Sequence, residues 1–281
     1  MAELPVTMSG STPLVTAQIN GQDAQFVADS GAFYSVITQA GAARYRLELS
    51  PAPVGFHVKG IAGDFDPSIA TVKLFALAGV PIRNVQFLVG GGSVGNSENV
   101  GVLGQNIFRI ADVEYDLAKG VIRLMRTEGC GHALLAYWAT ASQPYSVIDI
   151  EHATALQPHT AGTAYVNGAK IRVTFDTGAA ASLLTLKAAE RAGVKPDSAG
   201  VVPAGYIQGI GRGAVKTYIG SFASFKIGDE EIRNTRLRFG GISLEDADML
   251  LGADFFLAHR IYVARSENKL FFTYNGGRVF R

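Results

Sequence analysis

Hydrophobic residues along this chain come mostly in short runs that are rich in β-branched side chains. Glycine, asparagine or proline separates one run from the next, which is the pattern of strands joined by turns. Helical spacing occurs in two places, over residues 38–47 and 185–192, and each opens with a threonine that can cap a helix. The pattern predicts strands over residues 14–19, 25–28, 85–89, 121–125, 171–175, 217–227 and 269–274.

The chain also repeats itself, in order and with nearly constant spacing. Residues 16–21 recur as 163–168, and residues 26–32 recur as 173–179. Three shorter landmarks follow, in which 59–63, 82–84 and 102–104 recur as 208–212, 232–234 and 250–252. Such a repeat is far too long for a solenoid and has the length of a small domain.

We therefore predict an all-β chain of two tandem barrel-like domains with a few short helices. The first domain is expected over residues 1–128 and the second over residues 145–281. Residues 129–144 form the expected linker, and their short apolar stretch suggests a short helix there.

Composition and charge remove several classes of function. The chain has 281 residues, of which 48% are hydrophobic, so it is globular rather than disordered. Its 25 basic and 24 acidic residues argue against nucleic acid or acidic membranes as partners. Cys130 is the only cysteine, which excludes an intrachain disulfide and a four-cysteine zinc site.

Targeting signals are not evident in the sequence. No apolar stretch reaches the roughly 20 residues that a membrane-spanning helix needs. The start lacks the basic and apolar regions of a signal peptide. The location is therefore unassigned, with a periplasmic or exported protein expected only if a signal peptide was removed from a longer precursor.

The candidate chemistry lies in a tripeptide that occurs twice, at equivalent places in the repeat. Asp29, Ser30 and Gly31 follow one short apolar strand, and Asp176, Thr177 and Gly178 follow its counterpart. One copy alone would be a common turn, since aspartate caps its own backbone and glycine tolerates unusual φ angles. Two copies in a duplicated domain can bring two carboxyl groups together.

Paired carboxyl groups can hydrolyse a peptide bond without a metal or a covalent nucleophile. Two carboxylates about 3 Å apart cannot both ionise, so one keeps its proton. The ionised group takes a proton from water, and the neutral group polarises the substrate carbonyl. Glycine after each aspartate permits close approach of the two loops, which the hydroxyl groups of Ser30 and Thr177 can cross-brace.

The segments Asp29-Ser-Gly-Ala32 and Asp176-Thr-Gly-Ala179 resemble the active-site signatures of the retropepsin-like aspartic peptidases. Residues 102–106 and 250–254 resemble the apolar-apolar-Gly segment that packs under those loops. The resemblance covers nearly the whole chain and implies an aspartic endopeptidase, with Asp29 and Asp176 as the catalytic pair and Ser30, Gly31, Ala32, Thr177, Gly178 and Ala179 supporting their loops.

The same resemblance implies two flaps over the cleft, one from each half. Residues 59–63 and 208–212 are similar to the Gly-Ile-Gly tip of the viral flap. The connectivity is that of pepsin, with both halves in one chain, as in bacterial aspartyl peptidase families, and it implies activity as a single chain on peptide or protein substrates. The implied flap and substrate-binding residues are Gly60, Ile61, Gly63, Gly209, Ile210 and Gly211.

The sequence departs from the viral pattern at a pair of positions in each half. Many viral enzymes pair an aspartate with an arginine where this chain has Phe33 with Gln105 and Ala180 with Ala253. The aspartate and the arginine are both absent in each half, so their absence does not count against activity. Phe33 and Tyr34 are also bulkier than Ala180 and Ala181, so the two halves of the site should differ.

The residue after each Asp-Ser/Thr-Gly motif affects the expected pH dependence. Pepsins usually carry a serine or threonine there, whose hydroxyl group stabilises the ionised carboxylate. Ala32 and Ala179 lack that donor, so the pKa values of the pair should be higher than in pepsins. We expect a mildly acidic optimum, at about pH 4 to 6.5.

Other functions fit the sequence less well. A catalytically idle peptide-binding module on the same fold is the main alternative, because a fold does not establish chemistry. A pure scaffold would have no reason to keep two opposed aspartates. Residues 91–95 match a serine-hydrolase elbow but are not followed by the helix that the elbow needs. Cys130 and His132 have no metal-ligand spacing, and no metal or cofactor is expected.

Overall fold

The computed structural model of the protein describes residues 1–60, 63–90, 98–126, 134–154, 157–207, 214–244 and 246–280. Its regular structure is mostly β, as the sequence predicts. In the N-terminal half the strands are β1 (Ala2–Ser9), β2 (Thr12–Ile19), β3 (Gln22–Ala28), β4 (Val36–Ile37), β5 (Leu49–Pro51), β6 (Val58–Gly60), β7 (Gly63–Phe65), β8 (Ser68–Leu77), β9 (Val80–Val89), β10 (Gly101–Leu103), β11 (Asp112–Asp116) and β12 (Val121–Met125).

The C-terminal half follows a similar order of elements. Its strands are β13 (Ser146–Asp149), β14 (Ala161–Val166), β15 (Ala169–Phe175), β16 (Leu183–Thr185), β17 (Val202–Ile207), β18 (Val215–Ile227), β19 (Glu230–Gly240), β20 (Met249–Leu251), β21 (His259–Ala264) and β22 (Lys269–Tyr274). The helices of the two halves are α1 (Gln39–Arg44), α2 (Gln105–Phe108), α3 (Leu186–Arg191) and α4 (Ala253–Ala258), with 3-10 turns at Leu117–Lys119 and Arg265–Glu267.

Two of the helices lie where threonine and apolar spacing predict them. Thr38 and Thr185 cap α1 and α3, each accepting a backbone hydrogen bond three residues ahead, from Gly41 and Ala188. Helices α2 and α4 were not predicted, because Gly104 and Gly252 occupy their N-cap positions and provide no side-chain cap that could mark a helix start. No helix in the described ranges is long and apolar enough to cross a membrane.

Strand pairing around the two Asp-Ser/Thr-Gly motifs is the same in both halves. β10 runs parallel to β3 and antiparallel to β4, and β4 runs parallel to β9. β20 likewise runs parallel to β15 and antiparallel to β16, which runs parallel to β19. The internal repeat of the sequence therefore corresponds to a repeat of topology.

A sheet shared by both halves joins them. Its order is β13-β22-β21-β11-β12-β1, and its centre is the antiparallel pairing of β11 with β21. Val113 pairs with Val263 there, and Tyr115 pairs with Ile261. Main-chain hydrogen bonds thus cross the boundary between the halves, which fixes how the two motifs face each other.

Each half also has an aromatic core of its own. Phe26, Phe75 and Phe87 pack together in the N-terminal half, with ring centroids 5.3 to 6.2 Å apart. Phe175 contacts Phe255 and Phe256 in the other half, at 6.1 and 6.3 Å. The Tyr115 and Phe256 rings meet at 5.1 Å, so the cores are continuous across the shared sheet.

The linker differs from the prediction of a short helix. Its described residues, 134–144, form turns and one short bridge between Thr140 and Gln143. Two side chains attach this segment to the shared sheet: Tyr137 donates to Glu114 at 2.6 Å, and the indole of Trp138 donates to Thr273 at 2.9 Å. The two rings also meet edge-on at 5.3 Å, and their bonds to the sheet hold this segment in turns rather than in a helix.

Candidate active site

The two aspartates occupy equivalent places at the ends of β3 and β15. The backbone N–H of Asp29 donates to Leu103 at 2.9 Å, and that of Asp176 donates to Leu251 at 2.8 Å. These bonds extend the parallel pairing of β3 with β10 and of β15 with β20 by one residue. Each aspartate therefore leaves its strand in the same direction, toward the other half.

Ser30 and Thr177 bind the two loops to each other reciprocally. The backbone N–H of Ser30 donates to the Thr177 hydroxyl at 2.9 Å, and that of Thr177 donates to the Ser30 hydroxyl at 3.0 Å. Each hydroxyl then donates across the boundary, Ser30 to Phe175 O at 2.8 Å and Thr177 to Ala28 O at 2.6 Å. Both side chains are buried, so these four bonds are shielded from competing water.

Gly31 and Gly178 allow the carboxyl groups to meet. A methyl group on Gly31 would lie closer than 3.0 Å to all three carboxyl atoms of Asp176, and one on Gly178 would meet Asp29 in the same way. The side chains of Asp29 and Asp176 hydrogen-bond to each other. Glycine is therefore required at both positions by the approach of the opposite carboxyl group.

Each carboxyl group accepts hydrogen bonds from backbone N–H groups of its own loop. The N–H groups of Gly31 and Ala32 donate to Asp29 Oδ1 at 2.9 and 2.8 Å. Those of Gly178 and Ala179 donate to Asp176 Oδ1 at 2.9 and 3.2 Å. The same cradle in both halves leaves the remaining oxygens for the contact between the two side chains.

Burial and mutual repulsion oppose ionisation of the pair. Burial raises the pKa of Asp29 well above its usual range, and the charge of Asp176 raises it further. Burial also raises the pKa of Asp176, against the lowering effect of its hydrogen bonds to Asp29 and the backbone. The two groups titrate as one system, and a single shared proton relieves the repulsion between them.

Beneath each loop lies a second polar contact, between a serine and the side chain of an Asn or Asp, which the sequence does not predict. Ser35 donates through its backbone N–H and its hydroxyl to Asn106 Oδ1, at 2.7 and 2.8 Å. Ser182 makes the same two bonds to Asp254 Oδ1, at 2.9 and 2.7 Å. The repeat of a serine and of an Asn/Asp after the Leu-Gly landmarks was the available signal, but spacing alone does not pair them.

Gln105 makes a brace that exists in one half only. Its side-chain amide donates to Ser30 O at 2.6 Å and accepts from Arg265 of the other half, also at 2.6 Å. The hydroxyl of Tyr115 hydrogen-bonds the Ser30 side chain. Ala253, the counterpart of Gln105, has no polar side chain, so the two loops are supported differently.

His159 stands beside the N-terminal loop and was not identified from the sequence. Its imidazole hydrogen-bonds the backbone of Gly31 and contacts the Phe33 ring edge-on, with centroids 6.0 Å apart. Phe33 also packs on Tyr34 at 4.4 Å, and Tyr34 packs on Phe56 at 5.9 Å. A row of four rings thus extends from the N-terminal loop, in the order His159, Phe33, Tyr34 and Phe56.

Hairpins occur where the flaps were predicted. β6 and β7 pair through Val58 with Phe65 and Gly60 with Gly63, and β17 and β18 pair through Tyr206 with Lys216. The predicted tip residues Ile61, Gly209, Ile210 and Gly211 lie outside the described residues. So do residues 91–95 and the Cys130–His132 pair.

Within the part of the chain that the structure describes, no cluster of three or more side chains suits a metal ion.

Comparison with protein families agrees with this geometry. A family model described as "Aspartyl protease" matches residues 15–107, and one described as "gag-polyprotein putative aspartyl protease" matches residues 162–258. The chain belongs to the aspartyl protease family. Its two family matches fall one in each half, each spanning an Asp-Ser/Thr-Gly motif, which confirms the resemblance drawn from those motifs. No curated protein matches the sequence.

Solved structures share the fold over nearly the full chain. An aspartic proteinase from Irpex lacteus is 11% identical with a TM-score of 0.61, covering 97% of this chain and 96% of that one. Conglutin gamma, a basic 7S globulin from lupine seeds, is 12% identical with a TM-score of 0.55 (98% and 95%). Basic 7S globulin from soybean is 10% identical with a TM-score of 0.50 (97% and 94%). The predicted all-β tandem fold is confirmed.

Proposed function

We propose that this aspartyl protease family member is an active endopeptidase in which Asp29 and Asp176 activate one water molecule. The observation that carries the proposal is the hydrogen-bonded contact of the two side chains, which both glycines permit and the Ser30–Thr177 brace maintains. Holding two carboxyl groups together is unfavourable when both are charged. A chain that builds this contact from both halves gains a shared proton for catalysis.

The reaction follows from one proton on the pair. The ionised carboxylate accepts a proton from water as the water oxygen bonds to the scissile carbonyl carbon. The neutral carboxyl group gives its proton to the carbonyl oxygen, forming a neutral diol. The diol then returns a proton to the pair, the amide nitrogen takes one as the C–N bond breaks, and the pair ends with one proton as it began.

The hairpins β6–β7 and β17–β18 act as two flaps in this proposal, with Gly60, Ile61, Gly63, Gly209, Ile210 and Gly211 at the substrate. Support comes from their equivalent places in the repeat and from the contact of Tyr34, five residues after Asp29, with Phe56 just before β6. Flaps that close over a substrate exclude water from the reacting atoms. Peptides and proteins in extended conformation are the proposed substrates.

Cleavage of a peptide library with and without pepstatin tests the proposal. Asp29→Asn and Asp176→Asn should each lower kcat/KM by at least about 1,000-fold, because neither residue replaces the other in a coupled pair. Circular dichroism and thermal unfolding should show both variants folded. Near-normal turnover in either folded variant would refute the dyad.

The alternative of a peptide-binding module is kept because solved neighbours of the same fold include two globulins as well as a proteinase. It predicts that the wild-type protein retains library peptides without cleaving them. Mass spectrometry of the bound fraction separates the two functions, since new peptide termini appear only if the protein is an enzyme.

A further inference from the structure

His159 is held firmly against the catalytic loop of the opposite half. Its two neighbours are both buried and both bound by Arg265, whose guanidinium donates to Pro158 O at 3.4 Å and to Thr160 Oγ1 at 3.3 Å. Phe175 N donates to Thr160 O at 3.0 Å, which fixes the segment to the strand that leads to Asp176. The position of the imidazole is therefore set by the fold.

The imidazole lies one peptide group away from the carboxyl pair. It hydrogen-bonds the backbone of Gly31, and Gly31 is in contact with the Asp176 carboxyl group. The Gly31 N–H already donates to Asp29 Oδ1, so the imidazole donates to the Gly31 carbonyl oxygen. The second ring nitrogen remains free to gain or lose a proton while this bond persists.

We propose that His159 is a positioning residue for acid conditions, whose imidazolium stabilises the singly ionised Asp29–Asp176 pair and extends activity to lower pH. This inference rests on the proposed endopeptidase function. It concerns one half only, because the repeat places Thr12, which cannot carry a charge, at the position equivalent to His159.

The charges that face His159 set the sign of the effect. Burial lowers the pKa of His159 below its usual value, and Arg172 and Arg265 act in the same direction, whereas Asp176 and the Gly31 bond raise it. The ring is therefore cationic only in the acid range. There it favours the ionised form of the pair and so lowers the more acidic of the two pKa values of the pair.

The His159 cation compensates for a hydroxyl donor that the two loops lack. Ala32 and Ala179 provide backbone N–H groups to the carboxyl pair but no hydroxyl donor. Without another stabilising group, the pair would take up its second proton, and lose activity, at a higher pH. His159 supplies positive charge from outside the loops, and it does so only where protons are abundant.

The variant His159→Gln tests the charge without removing the hydrogen-bond donor. In pH profiles of kcat/KM, we expect its acid limb to move upward by about 0.5 to 1 pH unit, with the plateau within about threefold of wild type. The matched control is His152→Gln, an exposed histidine of the same segment that bonds Asn268 at 3.2 Å, and its profile should not move. An unchanged acid limb in a folded, active His159→Gln variant overturns the inference.

A second measurement does not depend on turnover. The pKa of the His159 imidazole, assigned by its absence in His159→Gln, is followed by NMR in wild type and in Asp176→Asn. Coupling is reciprocal, so removing the carboxylate should lower the pKa of His159 measurably. An identical titration in both proteins overturns the inference, whereas wild type without pepstatin-sensitive cleavage overturns only the proposed function.

Discussion

At the scale of single residues, the contact between Asp29 and Asp176 depends on the absence of two methyl groups. Gly31 and Gly178 each touch the carboxyl group of the other loop. Neither is required by an unusual φ angle, so the constraint comes from the neighbouring half and not from the local backbone. This separates them from turn glycines such as Gly21 and Gly168, which have φ angles of +83° and +79°.

Gly31→Ala should therefore separate the two carboxyl groups. The added methyl group overlaps the Asp176 carboxyl group, which cannot move away without losing its bonds from the Gly178 and Ala179 N–H groups. We expect loss of at least about 2 kcal/mol in the free energy of unfolding by urea, together with loss of peptidase activity. Gly241→Ala is the control, because its methyl group meets only ordinary contacts at 3.6 and 3.9 Å. Equal stability of the two variants would contradict the close approach.

At the scale of elements, each Asp-Ser/Thr-Gly loop rests on the first turn of a short helix. α2 and α4 begin directly after Gly104 and Gly252, and each presents an Oδ1 atom to a serine of the loop. Asn106 and Asp254 are thus interchangeable in geometry, although one is an amide and the other an acid. Asp254 is buried, so losing its oxygen leaves the Ser182 donors without an acceptor.

This comparison yields a prediction for Asp254. Asp254→Ala should cost about 2 to 3 kcal/mol of unfolding free energy, whereas Asp254→Asn should cost clearly less, because it copies the N-terminal half. Chemical denaturation with kinetics on the folded variants measures both effects. If Asp254→Asn were as unstable as Asp254→Ala, the acid would have a role that the amide of Asn106 does not perform.

Elements with a strong local pattern were predictable, and contacts between distant elements were not. Strand β12 and the capped helices α1 and α3 follow from β-branched runs and from Thr38 and Thr185. The meeting of Asp29 and Asp176 follows from the repeat, because equivalent positions in a duplicated domain meet at its two-fold axis. His159 and Arg265 lie in no repeated motif, since their counterparts differ, so their approach to the loops emerges only from the folded chain.

The linker illustrates the same limit. A short apolar stretch is compatible with a helix, and periodicity cannot decide over so few residues. Tyr137 and Trp138 instead bind Glu114, Thr273 and Arg260 on the shared sheet, with the Arg260 guanidinium 4.4 Å from the Trp138 ring. Tertiary contacts therefore determine the conformation of this segment.

At the scale of the whole molecule, one chain contains both loops and the sheet that joins them. The β11–β21 pairing and the continuous aromatic core couple the halves permanently. Catalysis should then be independent of association. We expect constant specific activity on dilution from micromolar to nanomolar protein, checked by progress curves against sedimentation at matching concentrations. A steep fall on dilution would indicate a site completed by a second chain.

The residues around the carboxyl pair differ between the two halves, so the site distinguishes between the two directions in which a peptide can bind. His159, Phe33, Tyr34 and the Gln105 brace adjoin the N-terminal loop, whereas the C-terminal loop has Ala180, Ala181 and Ala253 at the positions equivalent to Phe33, Tyr34 and Gln105. A site made from two identical chains accepts a peptide equally well in either N-to-C orientation, whereas this one offers each orientation different neighbours. A peptide inhibitor whose residue sequence reads the same in both directions should consequently bind this protein in one preferred N-to-C orientation, which isotopic labelling of its N-terminal residue would make visible.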